Sequence, residues 1–155
     1  MKPAPAKSSG KAVSKARAHC PIARSLDSFG DRWSLLILRE SFSGVTRFDD
    51  FQKNLKVSKA TLTARLATLV KRGILRRVPI EDGARRMHYK LTEKGKELYV
   101  IFIALRQWGD KWTFDGPPPN AVVERANGRI VAPVEVRNID GEVLKPRDTV
   151  LVRLS

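Results

Sequence analysis

The sequence predicts a mainly α-helical fold with a small β component: a winged helix-turn-helix, then a C-terminal dimerisation helix and a short β-rich C-terminal appendage. Three observations predict it. A helical stretch capped by Ser58 ends at Gly73 and runs straight into two short alternating segments around Glu81-Asp82-Gly83. A shorter helical stretch precedes it, with only Lys56-Val57-Ser58 between them, the layout of a helix-turn-helix. The positive charge of the chain is concentrated on an N-terminal arm and on this capped helix with its hairpin.

The 155 residues carry a formal charge of +14. From Met1 to Ser25 there are 6 basic residues and no acid. From Lys59 to Lys90 there are 9 basic residues against Glu81 and Asp82. The rest of the chain is close to balanced. A basic patch confined to one structural unit is the footprint expected for a polyanionic partner. Cys20 is the only cysteine, so no intramolecular disulfide forms and a reducing, cytoplasmic compartment is expected. The longest apolar run, Leu98 to Leu105, is far short of the roughly 18 residues that span a bilayer, so no membrane association is expected. The basic N-terminus lacks the apolar core of a secretory signal.

In chain order, residues 1–18 hold almost nothing to bury and read as a disordered basic arm. Pro21 opens a first helix with Ile22, Leu26 and Phe29 on one face. Gly30 interrupts it, and Asp31 caps a second helix whose Trp33, Leu36 and Ile37 are spaced to face a core. Phe48, Phe51 and Leu55 form the stripe of a short third helix, and Leu62, Leu66 and Leu69 that of a fourth. Ile74-Leu75 with Val78 and Ile80, then Met87, Tyr89 and Leu91, supply the two strands of the wing. Thr92 opens a helix reaching Trp112, apolar on one side through Leu98, Ile101, Phe102, Leu105, Trp108 and Trp112. Tyr99, Val100 and Ile103 make its other side apolar too. A helix apolar all round needs cover on both sides, from a second copy of the chain or from the C-terminal tail. Residues 113–120, with three consecutive prolines, form a linker. Residues 121–155 alternate in valine around Asn127-Gly128 and Asp140-Gly141, which predicts three or four short strands.

Several motifs in combination resemble the HxlR-type winged helix-turn-helix transcriptional regulators of bacteria. They are Cys20-Pro21, Asp31-Arg32-Trp33 before an apolar helix, Arg47-Phe48-x-x-Phe51, Leu62-Thr63-x-Arg65-Leu66 and Leu91-Thr92-x-x-Gly95. The resemblance runs from Cys20 to Trp112 and makes residues 19–112 the DNA-binding and dimerisation domain. It implies a homodimer packed through N- and C-terminal helices, a recognition helix in the major groove and a wing along the backbone. Two departures stand out. Ala60, Ala64 and Ala67 occupy the outward face of the recognition helix, where relatives commonly carry polar side chains. Alanine packs on a thymine methyl but cannot hydrogen-bond a base edge. Some relatives carry Cys-Gly knuckles in a similar tail; here the matching places read Asn127-Gly128 and Asp140-Gly141, so a β fold without metal is expected.

The expected contacts to double-stranded DNA are therefore Ser58, Lys59, Thr61, Thr63, Arg65 and Thr68 on the helix and Arg77, Arg85 and Arg86 on the wing. Arg65 lies beside the core stripe, where a salt bridge inside the domain competes with a guanine contact. Cys20 is either a redox sensor, with Arg24 one turn on and a helix start suiting a reactive sulfur, or a small packing residue. His19 and His88 are the only histidines, and no carboxylate pair or phosphate-cradling glycine loop stands out. No enzyme, cofactor or metal is expected. The expected function is sequence-specific transcriptional regulation by a homodimer, controlled by a redox signal or an unidentified small-molecule effector. A sequence-independent architectural DNA- or RNA-binding protein is the alternative.

Overall fold

The computed structural model describes residues 19–80 and 86–152. The expected N-terminal arm, the turn at Glu81-Asp82-Gly83 and Arg85 lie outside them. Two compact units divide the chain, one ending at Glu97 and the other beginning at Leu98.

In the first unit, helix α1 spans Pro21–Phe29, with Pro21 in its first turn. Helix α2, Arg32–Phe42, starts where expected: the Asp31 carboxylate accepts hydrogen bonds from the backbone N–H groups of Trp33 and Ser34, both at 3.1 Å. Its buried face is Ser34, Ile37 and Leu38. Trp33 and Leu36 are only half-buried, which shifts the core side of α2 from the expected one. The Arg32 guanidinium lies 5.2 Å from the centre of the Trp33 ring, so that ring is occupied at the surface.

Helix α3, Phe48–Leu55, is joined to α4, Lys59–Lys71, through Lys56-Val57-Ser58. Lys56 is the one described non-glycine residue with positive φ, at 49°, and this left-handed step makes the sharp reversal. Val57 then tucks into the core. Ser58 caps α4 by accepting from the Thr61 N–H at 3.1 Å. Leu62, Leu66 and Leu69 of α4 are fully buried, as are Phe51 of α3 and Ile37 and Leu38 of α2, and the three helices pack on one another.

Helix α4 ends in a Schellman motif. The Gly73 N–H reaches the carbonyl of Val70 and the Ile74 N–H that of Leu69, both at 2.9 Å. Gly73 takes φ +68°, which a residue with a Cβ adopts only at a cost. The chain turns directly into strand β1, Leu75–Pro79, antiparallel to β2, Met87–Leu91, with Leu75 opposite Leu91 and Arg77 opposite Tyr89. Ile74 and Leu75 close the core from below. A third short segment joins the sheet: Arg47 bridges to His88, and the Tyr89 N–H donates to the Thr46 carbonyl at 2.7 Å.

The helix expected from Thr92 to Trp112 is two helices. Thr92 caps α5, Glu93–Lys96, by accepting from the Gly95 N–H, while its hydroxyl lies against the carbonyls of Gly73 and Ile74. A Cβ on Gly95 would collide with the Ile74 carbonyl oxygen, so glycine lets α5 lie directly on the start of the wing. Glu97 and Leu98 form a turn before α6, Tyr99–Trp112.

The second unit begins with α6. Along it run segments of the chain beyond the prolines, held by polar side chains. Arg106 reaches both oxygens of Asn120, and Gln107 accepts from the Val134 N–H at 2.8 Å and donates to the Ala132 carbonyl at 2.9 Å. Among the described residues beyond the prolines, none of the expected strands forms. Val123–Ile130 and Arg137–Val143 are single bridges closing two tight turns, at Asn127-Gly128 and Asp140-Gly141. Side chains complete these turns: Asn127 donates to Glu124, and Asn138 accepts from the N–H groups of Asp140 and Glu142. A turn satisfied by its own side chains leaves little reason for a ladder to propagate, and Val136 and Ile139 stay in solvent.

Candidate nucleic-acid interface

Burying Leu62, Leu66 and Leu69 turns the opposite face of α4 outward, where Lys59, Ala60, Thr63, Ala64, Ala67 and Lys71 are exposed. Lys59 and Thr63, one turn apart, form the unobstructed polar edge of this face. Four other residues expected to contact a ligand, Ser58, Thr61, Arg65 and Thr68, are engaged within the fold. The Ser58 hydroxyl caps the helix and donates to Thr61 Oγ1 at 2.9 Å. The Thr68 hydroxyl donates back to the Ala64 carbonyl at 3.0 Å, leaving only its lone pairs to offer. Arg65 places Nε 3.3 Å from Asp31 Oδ1, the ion pair that its position beside the core stripe allowed. That Nε has no aligned hydrogen bond and is shut off from solvent, while 41% of the side chain remains exposed.

Burial alone raises the Asp31 carboxyl pKa. The Ser34 side chain and N–H, the Arg65 charge and the Trp33 N–H outweigh it and hold Asp31 below its ordinary value. The Ser34 hydroxyl acts on the carboxylate as a nearby dipole, since it makes no aligned hydrogen bond of its own.

The wing carries its cations on both faces. Arg77 and Arg86 are exposed, as are Arg76 and Lys90, which are paired across the strands. Register puts Arg77 beside Tyr89 and Met87, facing the start of α3; Arg76 and Lys90 point the other way. Sequence reasoning missed Arg47. It lies next to the wing because Thr46 and Arg47 bridge to β2, a pairing between residues 41 apart that no local pattern signals. Lys71, also missed, was legible as the next outward position of α4.

Cys20 precedes α1 as its cap residue, half-buried and free, with its carbonyl accepting from the Arg24 N–H. Of the expected apolar stripe, Ile101, Leu105, Trp108 and Trp112 of α6 are each about half exposed or more, whereas Phe102 of α6 and Leu98 just before it are half-buried.

A winged helix-turn-helix with a free cationic recognition face can be set beside known proteins. The HxlR-like helix-turn-helix family matches residues 28–116. The chain belongs to that family. Among its relatives, the uncharacterized HTH-type transcriptional regulator MT3179 of Mycobacterium tuberculosis is 43% identical over 99 residues, 63% of each chain. The chain thus spans less than two thirds of the length of the curated relatives it matches first. The solved structure of PA1607, a candidate transcription factor, superposes with a TM-score of 0.84 at 43% identity, covering 90% of this chain and 99% of that one. The redox regulator HypR in its oxidized form superposes with a TM-score of 0.53 at 28% identity, over 58% of this chain and 94% of its own. The HxlR match spans the helix-turn-helix and wing described above and reaches just past α6. No helix among the described residues is long and apolar enough to cross a membrane.

Proposed function

We propose that this HxlR-like protein is a sequence-specific, DNA-binding transcriptional regulator that works as a homodimer. One observation carries the reading: α4 buries its leucine stripe completely and turns Lys59 and Thr63 outward, on the same unit as a wing bearing Arg77 and Arg86. Helix α4 enters the major groove, Lys59 meets a phosphate near the helix start, and Thr63 with the three alanines reads base edges and thymine methyls. Arg77, Arg85 and Arg86 hold the wing to the backbone. Ser58, Thr61 and Thr68 act mainly by shaping the helix, and Arg65 by joining it to the start of α2. The partner chain packs on the apolar face of α6 and on α1, whose Ile22 and Leu26 are 72% and 55% exposed.

Selection of bound sequences from a random duplex library at fixed salt tests this. A twofold-symmetric motif is expected; recovery without enrichment would favour the architectural alternative, and equal competition by unlabelled RNA would favour an RNA partner.

HypR is a redox regulator, and Cys20 is this chain's only thiol, which supports control by an oxidant acting there. Operator affinity measured before and after mild peroxide treatment should change in the native protein and hold steady in Cys20→Ser. The same change in both proteins would clear Cys20 of the role.

A further inference from the structure

Beside the wing lies an open cleft of 340 Å³ that shares Arg77 and Arg86 with the proposed backbone contacts but lies apart from the outward face of α4. Three arginines line it: Arg47 before α3, Arg77 on β1 and Arg86 before β2. Among the described residues none of the three is paired with a carboxylate. Asp49 shares the lining without closing on any of them, so the described lining residues carry a net charge of about two positive units. The other half of the lining is apolar: Phe48, Ile80, Met87 and Tyr89.

We propose that this cleft binds a small aromatic carboxylate, and that occupancy by it opposes DNA binding. The mixed lining selects the ligand class. Unpaired guanidiniums match a carboxylate in a two-bonded fork. A bare inorganic anion or a DNA phosphate would be satisfied by the arginines and would leave Phe48, Tyr89 and Met87 without a role. An aromatic ring covers them with favourable ring–ring and sulfur–ring contacts. The volume lies at the lower end of the range of small-molecule sites, about 300–1,000 Å³, which suits one or two rings.

Antagonism follows from geometry that rests on the DNA-binding reading. Arg77 and Arg86 are wing cations assigned to the DNA backbone, so a carboxylate held between them and Arg47 removes charge the backbone would otherwise meet. The position of the cleft makes it a local competitor, with no rearrangement of the helices required.

Titration calorimetry on the full chain without DNA tests the site independently of any regulator role. Benzoate and 2-naphthoate at low salt should bind with a Kd of about 1 mM or tighter, naphthoate the better. Inorganic phosphate should bind at least about tenfold more weakly than naphthoate. Arg47→Gln should weaken naphthoate about tenfold, and Lys53→Gln, at the far end of α3, should leave it unchanged. Absence of heat, phosphate binding as tight as naphthoate, or an indifferent Arg47→Gln would each overturn the proposal. A second arm measures duplex affinity with and without naphthoate at constant ionic strength. Weaker binding with naphthoate, lost in Arg47→Gln, is the expected result; an unchanged affinity despite ligand binding overturns the antagonism. A protein that binds naphthoate but no duplex at all would leave the site standing and refute the DNA reading.

Discussion

Asp31 serves two helices at once. Its carboxylate satisfies two orphan N–H groups at the start of α2 and holds the Arg65 side chain of α4. The cap is the larger contribution, about 1 kcal/mol, because the arginine partner is 41% exposed and its attraction is screened by solvent. Asp31→Ala should therefore lower stability by about 1 kcal/mol in urea denaturation at neutral pH. The folded carboxyl titrates below the ordinary 3.8, so its contribution is fully present above that value and is lost as pH falls through the lower folded one. The gap between native and Asp31→Ala stabilities should narrow in that acid range and stay constant from about pH 5 upward. A gap that widens on acidification would contradict the assignment. The cap was legible in the sequence from Asp31 alone. The Arg65 partner was legible only as one of two choices, because the angle of Arg65 on α4 places it at the border between core and groove.

For the recognition helix as an element, the division between packing and reading is sharp. Leu62, Leu66 and Leu69 leave no exposed surface, so substitutions there act on folding, whereas Lys59 and Thr63 make no contact that folding requires. Lys59→Gln should flatten the log–log dependence of DNA affinity on salt by about 0.9 while leaving the urea midpoint unchanged. Thr63→Ala should leave the salt slope alone and change which sequences are preferred, read by repeating the selection with the variant. If Thr63→Ala altered the salt slope and Lys59→Gln did not, α4 would be docked in another orientation. The wing is an element of a different kind. Its strands were legible from alternation, but its attachment to Thr46 and Arg47 was not, since a single bridge between distant residues leaves no periodic trace. The cleft depends on that attachment.

In the whole molecule, the apolar surface of α6 is the unresolved demand of the fold. Leu105, Trp108 and Trp112 are 52%, 60% and 64% exposed, although the segment beyond the prolines is tied to α6 by Arg106 and Gln107. The tail therefore touches α6 through polar clamps and leaves a contiguous apolar strip, an arrangement that favours cover by a second copy. Leu105→Glu should shift light-scattering mass from dimer to monomer and weaken operator binding, with the helical circular-dichroism signal retained. A Leu105→Glu protein that stays dimeric would move the interface elsewhere.

The sequence by itself determined the helices up to Gly73, the caps at Asp31, Ser58 and Thr92, the Schellman glycine and the wing strands. Each rests on residues at most a few positions apart, where spacing and backbone preference act directly. It also determined which unit bears the charge. Tertiary structure decided the seating of α5 on the start of the wing, where Gly95 lies against Ile74, a contact across 21 positions that periodicity does not register. Among the described residues beyond the prolines, side chains completing the turns leave single bridges in place of strands. The Asp31–Arg65 pair and the meeting of Arg47, Arg77 and Arg86 were likewise decided by tertiary structure. Their partners are brought together only when α2, α4 and the wing have closed on one core.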